Sequence, residues 1–100
     1  MTEELIFTLN VPTSLKDEIV DRLISLPSIT GFNLTKMNGY SKEHSLYDIS
    51  EQVEGYREFY QFEVLTASNE VNNLKNSLTP ICQPAKLRYW LTPVIENGHF

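Results

Sequence analysis

The chain has 100 residues, 41% of them hydrophobic and 11% aromatic, which is enough apolar material for one domain with its own core and too much for intrinsic disorder. The formal net charge of -5 and pI near 4.9 describe an acidic surface that repels phosphate backbones, so nucleic acid is a poor partner. Cys82 is the single cysteine, which excludes an intrachain disulfide. No basic segment leads into an apolar run at the start, and no apolar stretch approaches the ~20 residues of a membrane span. The cytoplasm is therefore the expected location, without embedding in a membrane.

Glu4 to Asn10 reads as a strand, with Leu5, Phe7 and Leu9 on one face and Ile6 and Thr8 on the other. Pro12 ends it. Thr13 or Ser14 is placed to cap a helix, with Asp17 and Glu18 in the first turn, where the helix dipole favours negative charge. Leu15, Ile19, Val20, Leu23 and Ile24 recur at helical spacing, and Pro27 stops the helix near Ser25. A second strand is expected from Gly31 through Phe32 and Leu34 to about Met37.

The third strand, Tyr56 to Thr66, is the clearest. Tyr60, Phe62 and Val64 alternate with Gln61 and Glu63 in a run rich in aromatic and β-branched residues. Ser68 can cap a second helix with Val71, Leu74 and Leu78 as its stripe, ended by Pro80. The fourth strand is expected over Lys86 to Thr92, with Leu87, Tyr89 and Leu91 facing one way and Trp90 the other. A tail covers 93–100.

The order β-α-β-β-α-β is the ferredoxin-like α+β arrangement, an antiparallel sheet with two helices on one face, and residues 1–100 form a single domain on this reading. Apolar side chains at both strand parities would leave the uncovered face with a larger patch than a soluble monomer usually shows. Self-association through the sheet is the simplest remedy. A half-wet sheet shielded by the tail is the alternative.

The link between strands two and three, about 38–55, is far longer than a hairpin loop, and such loops are usually functional or mobile. Asp48 and Glu51 form a capping-box-like pair and Gly55 suits a left-handed position, so a single helical turn docked by Ile49 and Val53 fits between them. His44 sits among Glu43, Asp48, Glu51 and Glu54. Imidazole with carboxylates suits a borderline divalent metal, and a solvated or capping histidine is the plainer reading. Cys82 and His99 join such a site only if the fold brings them near, and Cys82 reads otherwise as a small core residue. Arg57 and Arg88 are candidates for an anion at a subunit interface, or for pairs with Glu51, Glu54 or Glu58. Tyr89 and Trp90 are candidates to stack on a ligand or to pack between subunits. The serines lack a nucleophile-elbow context and the two histidines lie on remote segments, so the chain does not read as an enzyme.

The chain carries Leu9-Asn10-Val11-Pro12, Gly31-Phe32, Asn38-Gly39 with Glu43-His44, Ser50-Glu51-Gln52-Val53-x-Gly55, and Tyr89-Trp90-x-x-Pro93-Val94. Together these pieces resemble a bacterial PII-like family of unknown function, within the superfamily of nitrogen-regulatory PII proteins and CutA. The resemblance implies a homotrimeric signalling protein with a partner protein, a membrane transporter being one candidate. It places ligand and partner contacts on the long loop, at Tyr40, Glu43, His44, Glu51, Gln52 and Arg57, with Arg88 and Trp90 between subunits. A CutA-like divalent-metal binder using His44 and Glu43 is the alternative. PII proteins hold ATP with a loop rich in glycine and basic residues. Here Gly31, Gly39, Gly55 and Gly98 are dispersed, and no phosphate-cradling motif is present, so the residues do not support ATP.

Overall fold

The computed structural model describes residues 3–40 and 57–100. Strand β1, Glu4–Pro12, follows from the period-two alternation and stops at Pro12. The chain then enters helix α1, Lys16–Ile24, through a tight turn over Thr13–Leu15. Neither Thr13 nor Ser14 caps it with a side chain, contrary to expectation. Pro12, at φ -63°, directs the chain into the turn, and the Lys16 N–H donates to the Thr13 carbonyl. Ile19 and Leu23 are buried, Asp17 and Glu18 lie in the first turn as expected, and Ile24 points to solvent. Leu26, Ile29 and Phe32 in the following segment pack on the core.

Strand β2 is Asn33–Gly39, so it begins two residues later than expected. The reason is Phe32, whose ring turns inward to lie 5.9 Å from that of Phe62, outside the ladder. Strand β3 spans Arg57–Ala67, and the expected first residue, Tyr56, lies outside the described residues. A turn at Ser68–Glu70, without a side-chain cap from Ser68, leads into helix α2, Val71–Ala85.

Helix α2 does not end at Pro80. It runs through both Pro80 and Pro84. A proline inside a helix forfeits one backbone bond and crowds the carbonyl four residues back, a cost of about 3 kcal/mol. The additional turn places Ile81 and Cys82 against the core, and Leu87 joins them beyond the helix, so packing offsets the local penalty. Strand β4 is Tyr89–Pro93, shorter than the expected Lys86 to Thr92, because Lys86 and Leu87 serve to close α2.

The sheet order is β2-β3-β1-β4, and every neighbouring pair is antiparallel. This is the expected ferredoxin-like arrangement, with β3 inserted between β1 and β2, and β1 between β3 and β4. Phe7, Leu9 and Val11 face Val64, Phe62 and Tyr60 across the β1–β3 ladder, and α1 and α2 close over them with Ile19, Leu23, Leu74 and Leu78. Among the described residues, no helix is long and apolar enough to cross a membrane.

Candidate functional site

Both ends of the long connection leave from one place. Gly39 closes β2 directly opposite Arg57, which opens β3. A Cβ at Gly39 would lie 2.6 Å from the Phe59 ring, so the ring as it is packed lies over a glycine. Tyr40, at the exit, is exposed. Tyr40 and Arg57 are thus brought to the loop base. The other expected loop residues, Glu43, His44, Glu51 and Gln52, with the proposed turn over 48–55, lie outside the described residues.

The face of the sheet away from the helices carries Ile6, Met37, Phe59, Leu65 and Trp90. Polar residues interrupt this set, and the Gln61 Nε2 donates to Asn10 Oδ1 at 3.2 Å across the β3–β1 ladder. Leu65 and Trp90 are each 38% exposed. The tail does not shield them. It is tied to the start of β1, where the Val94 N–H donates to the Glu4 carbonyl and the Asn97 amide to the Glu4 carboxylate, and Ile95 and Phe100 project fully into solvent. Arg88 lies over the Trp90 ring at 5.6 Å and forms no ion pair among the described residues, while Glu58, one of its expected partners, pairs with Lys36 at 3.5 Å.

The helix side of β4 is also partly open. The two helices cover β1 and β3 more fully than this edge strand, so Tyr89 and Leu91 remain exposed although their parity is that of the core. Between β4 and α2 is a cavity of about 480 Å³, lined by Phe7, Leu9, Leu78, Cys82, Leu87 and Tyr89, with Lys75, Thr79, Gln83 and Lys86 supplying polar groups. Phe7 and Tyr89 stack at 5.3 Å, and the Lys75 ammonium sits 4.9 Å over the Tyr89 ring. Lys86 has φ 54° and ψ 48°, the left-handed region. It closes α2 as glycine commonly does, with the Lys86 N–H donating to the Gln83 carbonyl and the Leu87 N–H to that of Cys82. A side chain in this conformation costs roughly 1–2 kcal/mol. Burial raises the Cys82 thiol above its ordinary value, so it is neutral at physiological pH.

The sequence offers Tyr89 as a stacking residue and Cys82 as a small core residue, but it does not mark Lys75, Thr79, Gln83 or Lys86 as site residues. Ending α2 at Pro80 left 81–85 as a linker and hid the spacing Lys75, Leu78, Thr79, Cys82 and Gln83, which is a helix face. Among the described residues, no three His, Cys, Asp or Glu side chains are grouped to hold a metal, and neither Cys82 nor His99 enters such a group.

A family model described as a protein of unknown function, DUF3240, matches residues 1–100. The chain belongs to the DUF3240 family. A crystal structure of a DUF3240 protein from Shewanella baltica is 33% identical, with a TM-score of 0.80, covering 100% of this chain and 99% of that one. Two more distant structures share the fold. The periplasmic divalent cation tolerance protein CutA from Archaeoglobus fulgidus is 9% identical, with a TM-score of 0.73 over 95% of this chain and 87% of that one. Arabidopsis thaliana PII bound to citrate is 10% identical, with a TM-score of 0.68 over 94% and 77%. The resemblance drawn from the residues is thus borne out for family and fold. No curated protein sequence matches the chain.

Proposed function

We propose that residues 1–100 act as one PII-like regulatory unit, a trimer and a binder, not an enzyme, that takes up a small ligand or metal ion and acts on a protein partner through the β2–β3 connection. The observation that carries this reading is the pairing of Gly39 with Arg57, because it lets a long segment leave and re-enter the sheet at adjacent positions without disturbing the ladder. The likeness to PII and CutA structures supports it at the level of fold. The apolar groups on the open sheet face support self-association.

The test replaces residues 41–56 by a short Asn-Gly turn. The variant is expected to keep its fold and its association. The intact chain is expected to melt higher with at least one of ATP, copper or zinc, and the shortened chain to lose that shift, since a ligand favouring the folded state raises its stability. A shortened chain that unfolds, or that keeps the shift, refutes the assignment to the loop.

The CutA likeness favours a second reading, a divalent-metal binder with His44 and Glu43 as ligands. Calorimetry with copper or zinc distinguishes it: His44→Ala is expected to abolish binding, and unchanged affinity removes His44 from the site.

A further inference from the structure

The cavity between α2 and β4 is a different place from the β2–β3 loop, and three features of it point the same way. Its lining is mostly apolar, and its volume of about 480 Å³ lies within the usual range for a small-ligand site. Among the described residues its charged lining consists of two lysines and no carboxylate, in a chain of net charge -5. Neither Lys75 nor Lys86 is ion-paired among the described residues. Lys86 also occupies the left-handed position at which glycine is the low-strain choice, and strained backbone of this kind concentrates at binding sites.

We propose that this cavity binds a small monoanion with an apolar body, an aliphatic or aryl carboxylate, whose charge is taken by Lys75 and Lys86 and whose body lies against Phe7, Leu87 and Tyr89. The stacked rings of Phe7 and Tyr89 form one wall. The Gln83 amide offers a hydrogen bond near the charge, while the Thr79 hydroxyl already donates to the Lys75 carbonyl at 2.7 Å. Cys82 contributes a neutral thiol, which does not repel an anion. Two ammonium groups without an ion pair among the described residues match one carboxylate. They are too few for a triphosphate, and the lack of lining carboxylates disfavours a metal ion. The site stands on its own geometry, whether or not the loop transmits a signal.

The experiment titrates the full-length chain with octanoate and phenylacetate, followed by amide chemical shifts and calorimetry, with octan-1-ol and acetate as partners lacking the charge and the body. Saturable binding is expected for at least one of the two apolar carboxylates, with the largest shifts over Cys82 to Tyr89; which of the two binds more tightly separates an aliphatic from an aryl ligand. Octan-1-ol and acetate should each bind about tenfold more weakly or not at all. Lys75→Gln should weaken carboxylate binding by about tenfold, as expected for loss of a charge-assisted contact. Lys86→Gly should weaken it similarly while raising the melting temperature, because strain is relieved as the charge is lost. A purely structural Lys86 would give the higher melting temperature with unchanged affinity, and that result overturns the proposal. So does octan-1-ol binding as tightly as octanoate, a shift pattern centred elsewhere, or no saturable binding of either carboxylate at millimolar concentration, as when a neighbouring copy fills the cavity.

Discussion

Trp90 offers the sharpest test of association through the sheet. It projects from β4 on the open face, opposite Thr8, and is 38% exposed. A tryptophan side chain presents roughly 250 Å² when free, so on the order of 90 Å² remains for a partner to cover. At ~25 cal/mol per Å², covering it is worth ~2 kcal/mol, and Trp90→Ala should weaken each contact roughly thirtyfold. The substitution also removes the Arg88 contact within the subunit, worth about 0.5–1 kcal/mol at an exposed site. That loss belongs to unfolding and is measured separately by urea denaturation at one protein concentration. Sedimentation equilibrium over a concentration series reads the association itself. Ile24→Ala is the control, since Ile24 is 70% exposed on α1, on the opposite side of the sheet. An unchanged dissociation constant for Trp90→Ala, or an equal weakening by Ile24→Ala, would refute the argument.

Two further outcomes follow from α2. Pro80→Ala restores a backbone donor to a helix interior at an exposed site, and after allowing for the stiffer unfolded chain that proline gives, the gain should be about 1–2 kcal/mol; a lower melting temperature would contradict it. Burial raises the Cys82 thiol, so the unfolded chain releases this proton first. Its contribution to stability is complete below the thiol's ordinary value of 9.0 and is lost as pH rises through the higher folded value. Urea midpoints measured from neutral to alkaline pH should fall more steeply for the native chain than for Cys82→Ala, and parallel curves would show that the thiol is not shifted.

The strands and helices were legible where the signal is local. The alternation of Phe7 and Leu9, and of Tyr60, Phe62 and Val64, survives as the two inward rows of the sheet, and Val11 lengthens the first of them beyond the expected strand end. Gly31-Phe32 misled the placement of β2, because an aromatic ring reads the same whether it extends a strand or folds back on Phe62. The loop base at Tyr40 and Arg57 was legible from the strand ends. The cavity was not, because it depends on α2 continuing past Pro80 and on a lysine taking the conformation usual for glycine.

The sequence by itself determined the element order, the alternating faces of β1, β3 and β4 and the acidic, single-cysteine character of the chain. These rest on residue type and on spacings of two and 3.6, which neighbouring residues set among themselves. Only the tertiary structure decided that β4 lies at an edge with both faces partly open, that α2 runs to Ala85, and that Lys75 and Lys86 share one cavity. Each of those outcomes depends on packing between segments far apart in the chain. At Pro80 that packing outweighs a local penalty which the sequence states plainly and which, read alone, gives the wrong answer.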